Sequence, residues 1–179
     1  MKPAPFGYAR ARSVAHAVEL LAQDDARLLA GGQSLIATLN MRLSHPAVLV
    51  DINGIGGLDR IAHKNGHIEI GALVRHVQAE RSPDIARHAP LIARAMPHIG
   101  HPAIRNRGTV GGSLVHADPS AELPVLSVAL DAIFQLQSLR GKRSVAARDF
   151  YQGYLVTDIA SDELLIEITL SLPPPGAGW

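Results

Sequence analysis

The sequence predicts an α+β fold: a small βαβ unit over residues 1–55, then a larger unit over residues 56–173 built on a mainly antiparallel sheet with helices. Three observations carry this. Between Arg27 and Ile52 an apolar run, a glycine turn, a helical period and a second apolar run follow one another, the order of a right-handed β-α-β crossover. Beyond Asn53 the apolar runs are short and separated by turn signals, which suits antiparallel pairing. With 47% hydrophobic residues among 179, the chain has enough apolar surface for one or two packed units.

Taken in order, Ser13 is a candidate N-cap for a helix in which Val14, Ala17, Val18, Leu21 and Ala22 recur at helical spacing as far as Gln23, with Asp24-Asp25 closing it. Arg27 to Ala30 reads as a short buried strand, Gly31-Gly32 as the turn, and Gln33 to Arg42 as a helix that His45-Pro46 ends. Ala47 to Ile52 is a continuous apolar strand, parallel to the first. Leu58 to Ala62 and His67 to Ala72 then form a hairpin about Lys64-Asn65-Gly66. Leu73 to Arg81 and Asp84 to Met96 are helical, cut into pieces by Pro83, Pro90 and Pro97. Thr109 to His116 reads as a second glycine turn and a strand, and Ser120 to Leu130 as a helix. Ala132 to Leu139 and Lys142 to Ala146 pair about Arg140-Gly141, and Glu163 to Leu172 is a last strand, closed by Pro173-Pro174-Pro175-Gly176. Residues 174–179 read as a linker stub.

Composition removes several functions. Seventeen Lys and Arg against sixteen Asp and Glu give no electrostatic reason for a nucleic-acid or membrane-surface partner. Without cysteine the chain forms no disulfide and ligates no iron–sulfur cluster, and the His, Asp and Glu spacings suggest no metal site. The segment Met1 to Tyr8 lacks the apolar stretch of a signal peptide, and no apolar run is long enough to insert in a membrane, so a cytoplasmic location is expected.

Chemistry concentrates in two glycine segments, Leu28 to Leu35 and Arg105 to Ser113, each joining an apolar run to a polar turn. Glycine pairs admit positive φ and close backbone approach, so successive N–H groups can converge on an anion. Neither segment carries the Gly-x-Gly-x-x-Gly or Gly-Lys-Ser/Thr fingerprint. There is no nucleophile–base pair and no paired carboxylate, and no catalytic residue is predicted on this chain.

Four segments occur in order: Ala30-Gly31-Gly32-Gln33-Ser34-Leu35, Val50-Asp51-Ile52-Asn53, Ile68-Glu69-Ile70-Gly71-Ala72, and Ile99 to Ser113 with its core Thr109-Val110-Gly111-Gly112-Ser113. Continued by His116-Ala117-Asp118-Pro119-Ser120-Ala121-Glu122-Leu123-Pro124, the pattern resembles the FAD-binding medium subunit of the molybdenum hydroxylases, the group of xanthine dehydrogenase and aerobic carbon monoxide dehydrogenase. The resemblance runs from Phe6 to about Pro173. It implies a vanillyl-alcohol-oxidase-like FAD-binding domain within an oxidoreductase complex. A small subunit with [2Fe-2S] clusters passes electrons through FAD to an external acceptor, and a large subunit with the molybdenum cofactor hydroxylates the substrate, the whole forming a dimer of heterotrimers. Ile99 and the intact Arg105-Asn106-Arg107-Gly108 are nearest the carbon monoxide dehydrogenase branch in style.

Carried over by position, the resemblance places Ala30, Gly31, Gly32, Gln33, Ser34 and Leu35 around part of the FAD pyrophosphate and Thr109, Val110, Gly111, Gly112 and Ser113 around the rest, through backbone N–H groups with the Ser34 and Thr109 hydroxyls as extra donors. Glu122 falls near the ribityl or ribose hydroxyls, Ile99 against the isoalloxazine, and Leu165 at an apolar contact on the last strand. For Arg105 and Arg107, phosphate contact, loop anchoring and a partner-facing role stay open, and His116 is placed near the flavin. His98 is clustered with it, and His101 shapes the turn before Pro102. The family pattern continues into a C-terminal α+β domain that this sequence does not contain. Two other functions fit the same residues: a stand-alone flavoprotein oxidoreductase, and an assembly module that keeps the fold without FAD.

Overall fold

A computed structural model describes residues 2–23 and 25–172. The predicted helix stop at Asp24, the proline cluster from Pro173 and the linker stub at 174–179 lie outside these residues.

The first layer is a three-stranded parallel sheet of β1 (Gly7–Arg10), β2 (Ala26–Leu29) and β3 (Val48–Asp51), with β3 in the centre. β2 and β3 are the predicted crossover pair, with Leu28 opposite Val50. β1 is an addition that the sequence did not suggest. As an edge strand it is mostly exposed and shows no apolar alternation, and only its pairing with β3, Tyr8 opposite Leu49, makes it a strand. Between β1 and β2 runs α1 (Val14–Leu21), capped by the Ser13 hydroxyl, which accepts from the His16 N–H, and burying Ala17, Val18 and Leu21. Between β2 and β3 runs α2 (Leu35–Asn40), shorter at both ends than predicted. Gln33 and Ser34 form a turn before it, Ser34 makes no side-chain cap bond, and Arg42 at φ 57° leaves the helix before His45-Pro46 is reached.

The second layer is a five-stranded antiparallel sheet in the order β4 (Ile61–Lys64), β5 (His67–Gly71), β10 (Leu164–Ser171), β6 (Ile133–Ser138), β7 (Gly141–Ala146). The β4–β5 turn has Asn65 and Gly66 both at positive φ, 49° and 77°, the pattern that matches strand twist in a two-residue hairpin. The last strand, β10, is central: Ile168 faces Ile70 on one side and Phe134 on the other. Ile68, Ile70, Phe134, Leu136, Ile168 and Leu170 bury one face of this sheet in the main core.

Helices cover that face. α3 (His76–Arg81), α4 (Pro83–His88) and α5 (Pro90–Ala95) follow β5, the last two each opening on its proline, and a 3-10 turn at Met96–His98 absorbs Pro97. α6 (Pro102–Arg107), α7 (Val110–His116) and α8 (Glu122–Ala129) precede β6. After β7 come α9 (Ala147–Phe150) and a small ribbon of β8 (Tyr151–Gly153) and β9 (Val156–Thr157), none of them expected. Phe134, Phe150 and Tyr151 pack edge to face there, the first pair with centroids 4.8 Å apart.

The predicted strand from Thr109 to His116 is a helix instead. Thr109 takes an extended conformation and its Oγ1 accepts from the Gly112 N–H at 3.1 Å, so Val110 begins a helix whose buried residues are Val110, Gly111 and Leu114. A second apolar cluster joins Ala17, Val18, Leu21, Val50 and Ile52 to Leu58, Leu73 and Leu164, so packing crosses the predicted boundary at residue 55.

Candidate cofactor site

Where the parallel sheet meets α7 and β10 there is a cleft of about 570 Å³, lined by both glycine segments, by Ala72 and His76 after β5, by Ile159 to Ser161, and by Leu164 and Leu165 of β10. Its lining combines apolar residues such as Leu28, Ile52, Leu73 and Leu165 with the glycines and polar residues of the two segments. Among the described residues, no group of three or more His, Asp or Glu is placed to hold a metal.

The first segment is an open donor array. The N–H groups of Gly31, Gly32, Gln33, Ser34 and Leu35 have no acceptor among the described residues; the first bond back into the segment is Ile36 N–H to the Gly32 carbonyl at 3.1 Å. Gly32 stands at φ 71°, which turns the chain between β2 and α2 and lets successive N–H groups face one side. Buried or ligand-facing N–H groups seldom stay unpaired, so five in succession along a cleft suit a polyanion.

The two segments touch. A Cβ on Gly31 would stand 2.5 Å from the Arg107 carbonyl oxygen and 2.9 Å from Gly108 Cα, so the first glycine is required by the approach of the second segment. Asn53 stitches them further: its Nδ2 donates to the Ala30 carbonyl at 2.9 Å and to Asp51 Oδ1, and its Oδ1 accepts from Arg75 Nη2 at 2.7 Å. Arg75 Nη1 in turn donates to the Arg107 carbonyl. Burial opposes ionisation of Asp51, yet the bonds from Tyr8 and Asn53 together hold its carboxyl below the ordinary value.

The second segment works differently from the sequence expectation. Its N–H groups are spent inside the protein: Val110 on the Val74 carbonyl, Gly111 on Ala72, Gly112 on Thr109 Oγ1 and Ser113 on the Thr109 carbonyl. Its glycines serve packing, since a Cβ on Gly111 would lie 2.7 Å from the Ala72 carbonyl oxygen. Only Thr109, 2% exposed and lining the cleft, has an N–H without an acceptor among the described residues.

Of the residues predicted to form the site, Ala30, Gly31, Gly32, Gln33, Ser34, Leu35, Thr109, Gly111, Gly112, Ser113 and Leu165 line the cleft. Three do not. Val110 and Ile99 turn into the main core, because the N-terminal turn of α7 and the end of the 3-10 segment are each anchored by an apolar side chain there. Glu122, the first residue of α8, is not among the lining residues, although its neighbour Ala121 is. Arg105 is a loop anchor: it pairs with Glu80 at 2.9 Å and its Nη1 reaches the carbonyls of Ile99 and Gly100. The Arg107 side chain is exposed and its carbonyl holds the seam. His116 lines the cleft, whereas His98 and His101 do not.

Sequence reasoning missed Arg75, His76, Asn53 and Glu163. His76 is buried and its Nε2 lies 3.0 Å from the Thr109 carbonyl, so Nε2 carries the proton; Nδ1 has no partner among the described residues. Burial holds its pKa below the ordinary value, against the pull of the Thr109 bond and of Glu122. Glu163, on the cleft wall, accepts from Arg143 and from the Ala160 N–H, and the Arg143 bonds depress its pKa despite burial. Asn53 lay in a quoted motif and could have been singled out; the other three have no local signal.

The description "FAD binding domain in molybdopterin dehydrogenase" names the family that matches residues 4–173. The chain is 47% identical over 180 residues to the 6-hydroxypseudooxynicotine dehydrogenase complex subunit alpha of Paenarthrobacter nicotinovorans, covering 99% of this chain and 61% of that protein. Its fold superposes on the carbon monoxide dehydrogenase of Hydrogenophaga pseudoflava, in the form lacking the Mo-pyranopterin moiety, with a TM-score of 0.97 at 38% identity, over 100% of this chain and 63% of that one. Quinoline 2-oxidoreductase from Pseudomonas putida 86 gives 0.95 at 40% identity, over 97% and 61%. The chain therefore spans about three fifths of the length of these relatives. With the match running through both glycine segments, this chain belongs to the family of FAD-binding domains of molybdopterin dehydrogenases.

Proposed function

We propose that the chain holds FAD in the cleft as the flavin domain of a molybdenum hydroxylase medium subunit. The observation that carries this is the run of five unpaired N–H groups from Gly31 to Leu35, set against the second segment with no side chain between them. Gly31 to Leu35 would face the pyrophosphate, with the Ser34 hydroxyl and the Thr109 N–H completing the donor set and Leu165 supplying apolar surface. When bound, FAD supplies reversible electron uptake and release. The protein's residues orient the anion, and the apolar part of the lining excludes water from it.

On this reading the architecture is of the vanillyl-alcohol-oxidase-like type, with residues 1–55 and 56–173 as its two lobes. The chain works in the cytoplasm beside a large molybdenum-cofactor subunit and a small iron–sulfur subunit, in a dimer of heterotrimers, and passes their electrons to an external acceptor. Among the described residues no helix is long and apolar enough to cross a membrane.

The test is a visible absorption spectrum of the purified chain after incubation with FAD and desalting, beside the Ser34→Glu variant. Ser34 is exposed, so the added carboxylate repels a pyrophosphate without disturbing packing. Retained flavin absorbance in wild type and its loss in the variant support the proposal, and a wild-type chain that retains none overturns it.

A further inference from the structure

The dipeptide Arg75-His76 bonds three successive carbonyl oxygens of the second glycine segment. Arg75 Nη1 donates to the Arg107 carbonyl, the His76 N–H donates to Gly108 O at 3.0 Å, and His76 Nε2–H donates to Thr109 O at 3.0 Å. The register is that of an isolated antiparallel bridge between Arg75 and Thr109, closed on its far side by Val110 N–H to Val74 O at 2.9 Å. In such a bridge the paired residues themselves are the ones whose N–H groups point away from the partner segment. No peptide bond in the described chain is cis, so with Gly108 O fixed on His76, the Thr109 N–H of the same peptide unit is turned to the opposite side.

This orientation matters because of what happens to the neighbouring donors. The Gly108 N–H returns to Ile104 O at 2.7 Å, and the N–H groups from Val110 to Ser113 are all engaged. Within this segment Thr109 alone is left with a donor that has no acceptor among the described residues, and it is 2% exposed and lines the cleft. An N–H that is buried and unpaired in a folded protein calls for a partner. Position 108 has no room for a side chain, since a Cβ there would stand 2.9 Å from the ring of His76, whose backbone N–H holds the Gly108 carbonyl.

We propose that Arg75 and His76 are positioning residues which aim the Thr109 N–H at the anionic group in the cleft, and that through Asn53 the same arginine sets its distance from the Gly31–Leu35 donors. Neither side chain needs to touch the anion. Arg75 does not line the cleft, and the His76 proton faces a protein carbonyl. The inference rests on the FAD reading for the identity of the anion, and its chemistry is that of a nucleotide pyrophosphate.

The experiment uses ADP, which carries the pyrophosphate without the flavin, and riboflavin, which carries the flavin without phosphate. Amide resonances of the isotope-labelled chain are followed as ADP is added. The Thr109 amide is expected to shift together with those of Gly31 to Leu35. In His76→Leu the Thr109 response is expected to vanish and ADP affinity to fall on the order of tenfold, the scale of one well-made hydrogen bond, with riboflavin affinity unchanged. His76→Gln, whose amide can still donate to Thr109 O, is expected to retain most of the ADP affinity. A wild-type Thr109 amide that stays still while Gly31 to Leu35 move overturns the positioning role and leaves the FAD reading standing; this arm decides the matter even where His76→Leu fails to fold. Amides that all stay still, in a chain that retains no FAD, overturn both. Equal losses for ADP and riboflavin in His76→Leu reduce His76 to a packing residue and overturn the proposal.

Discussion

The carbonyl oxygen of Arg107 lies 2.5 Å from the position a Cβ on Gly31 would take, so the two glycine segments meet with no room for a single methyl group. The same carbonyl accepts from Arg75 Nη1. Gly31→Ala is accordingly expected to force the segments apart. Overpacking of this kind costs about 1–3 kcal/mol, and the donors on either side then no longer converge. Thermal denaturation together with FAD titration checks this: lower stability with FAD affinity reduced at least about tenfold is the expected result, and a variant binding like wild type contradicts it.

Ser34→Glu separates binding from folding. Ser34 is exposed, makes no side-chain cap bond, and stands at the N-terminal end of α2, where a carboxylate is mildly favourable to the helix. The melting temperature should be unchanged or slightly higher while FAD retention is lost. A fall in both would place Ser34 in the folding core of the segment instead.

The pH dependence follows from His76. Its pKa in the folded chain is held below the ordinary 6.5, first by burial, with Arg105 and Arg75 acting in the same direction and Glu122 and the Thr109 bond against it. The unfolded chain therefore binds the proton more readily. His76 contributes stability above pH 6.5, and the contribution is lost as pH falls from 6.5 toward the depressed value. Melting temperatures of wild type and His76→Gln, compared across this range, should converge or cross as pH drops; a constant difference would show that the ring does not titrate there.

Arg143 braces the cleft wall. Its guanidinium bonds both Glu163 oxygens at 2.7 Å and Asp158 Oδ2 at 2.6 Å, while the Glu163 side chain is only 5% exposed. Arg143→Met would leave a buried carboxylate held by the Ala160 N–H alone. A destabilisation of about 2 kcal/mol is expected, moderated because the arginine is partly exposed. The double variant Arg143→Met, Glu163→Gln should recover part of it, and chemical denaturation of the three proteins measures both effects.

Much of this architecture was written locally. The β2–turn–α2–β3 crossover, the Asn65-Gly66 hairpin and the Gly31–Leu35 donor array depend on neighbouring residues: an apolar run, a glycine at positive φ, and a turn that leads into the first residue of α2, Leu35. These could be read from sequence because their cause lies within a few residues. The rest depended on contacts between distant segments. Thr109 to His116 carries β-branched residues that suit a strand and a glycine pair that suits a turn, and it became a helix because Thr109 caps it and Gly111 packs on Ala72. β1 is a strand only through β3, and Ile99 and Val110 went to the core because the helical layer needed apolar anchors there. The seam that makes two glycine segments into one site is held by Asn53, Arg75 and His76, whose partners stand 22 to 33 residues away along the chain, and a hydrogen bond over that separation has no period or motif to announce it.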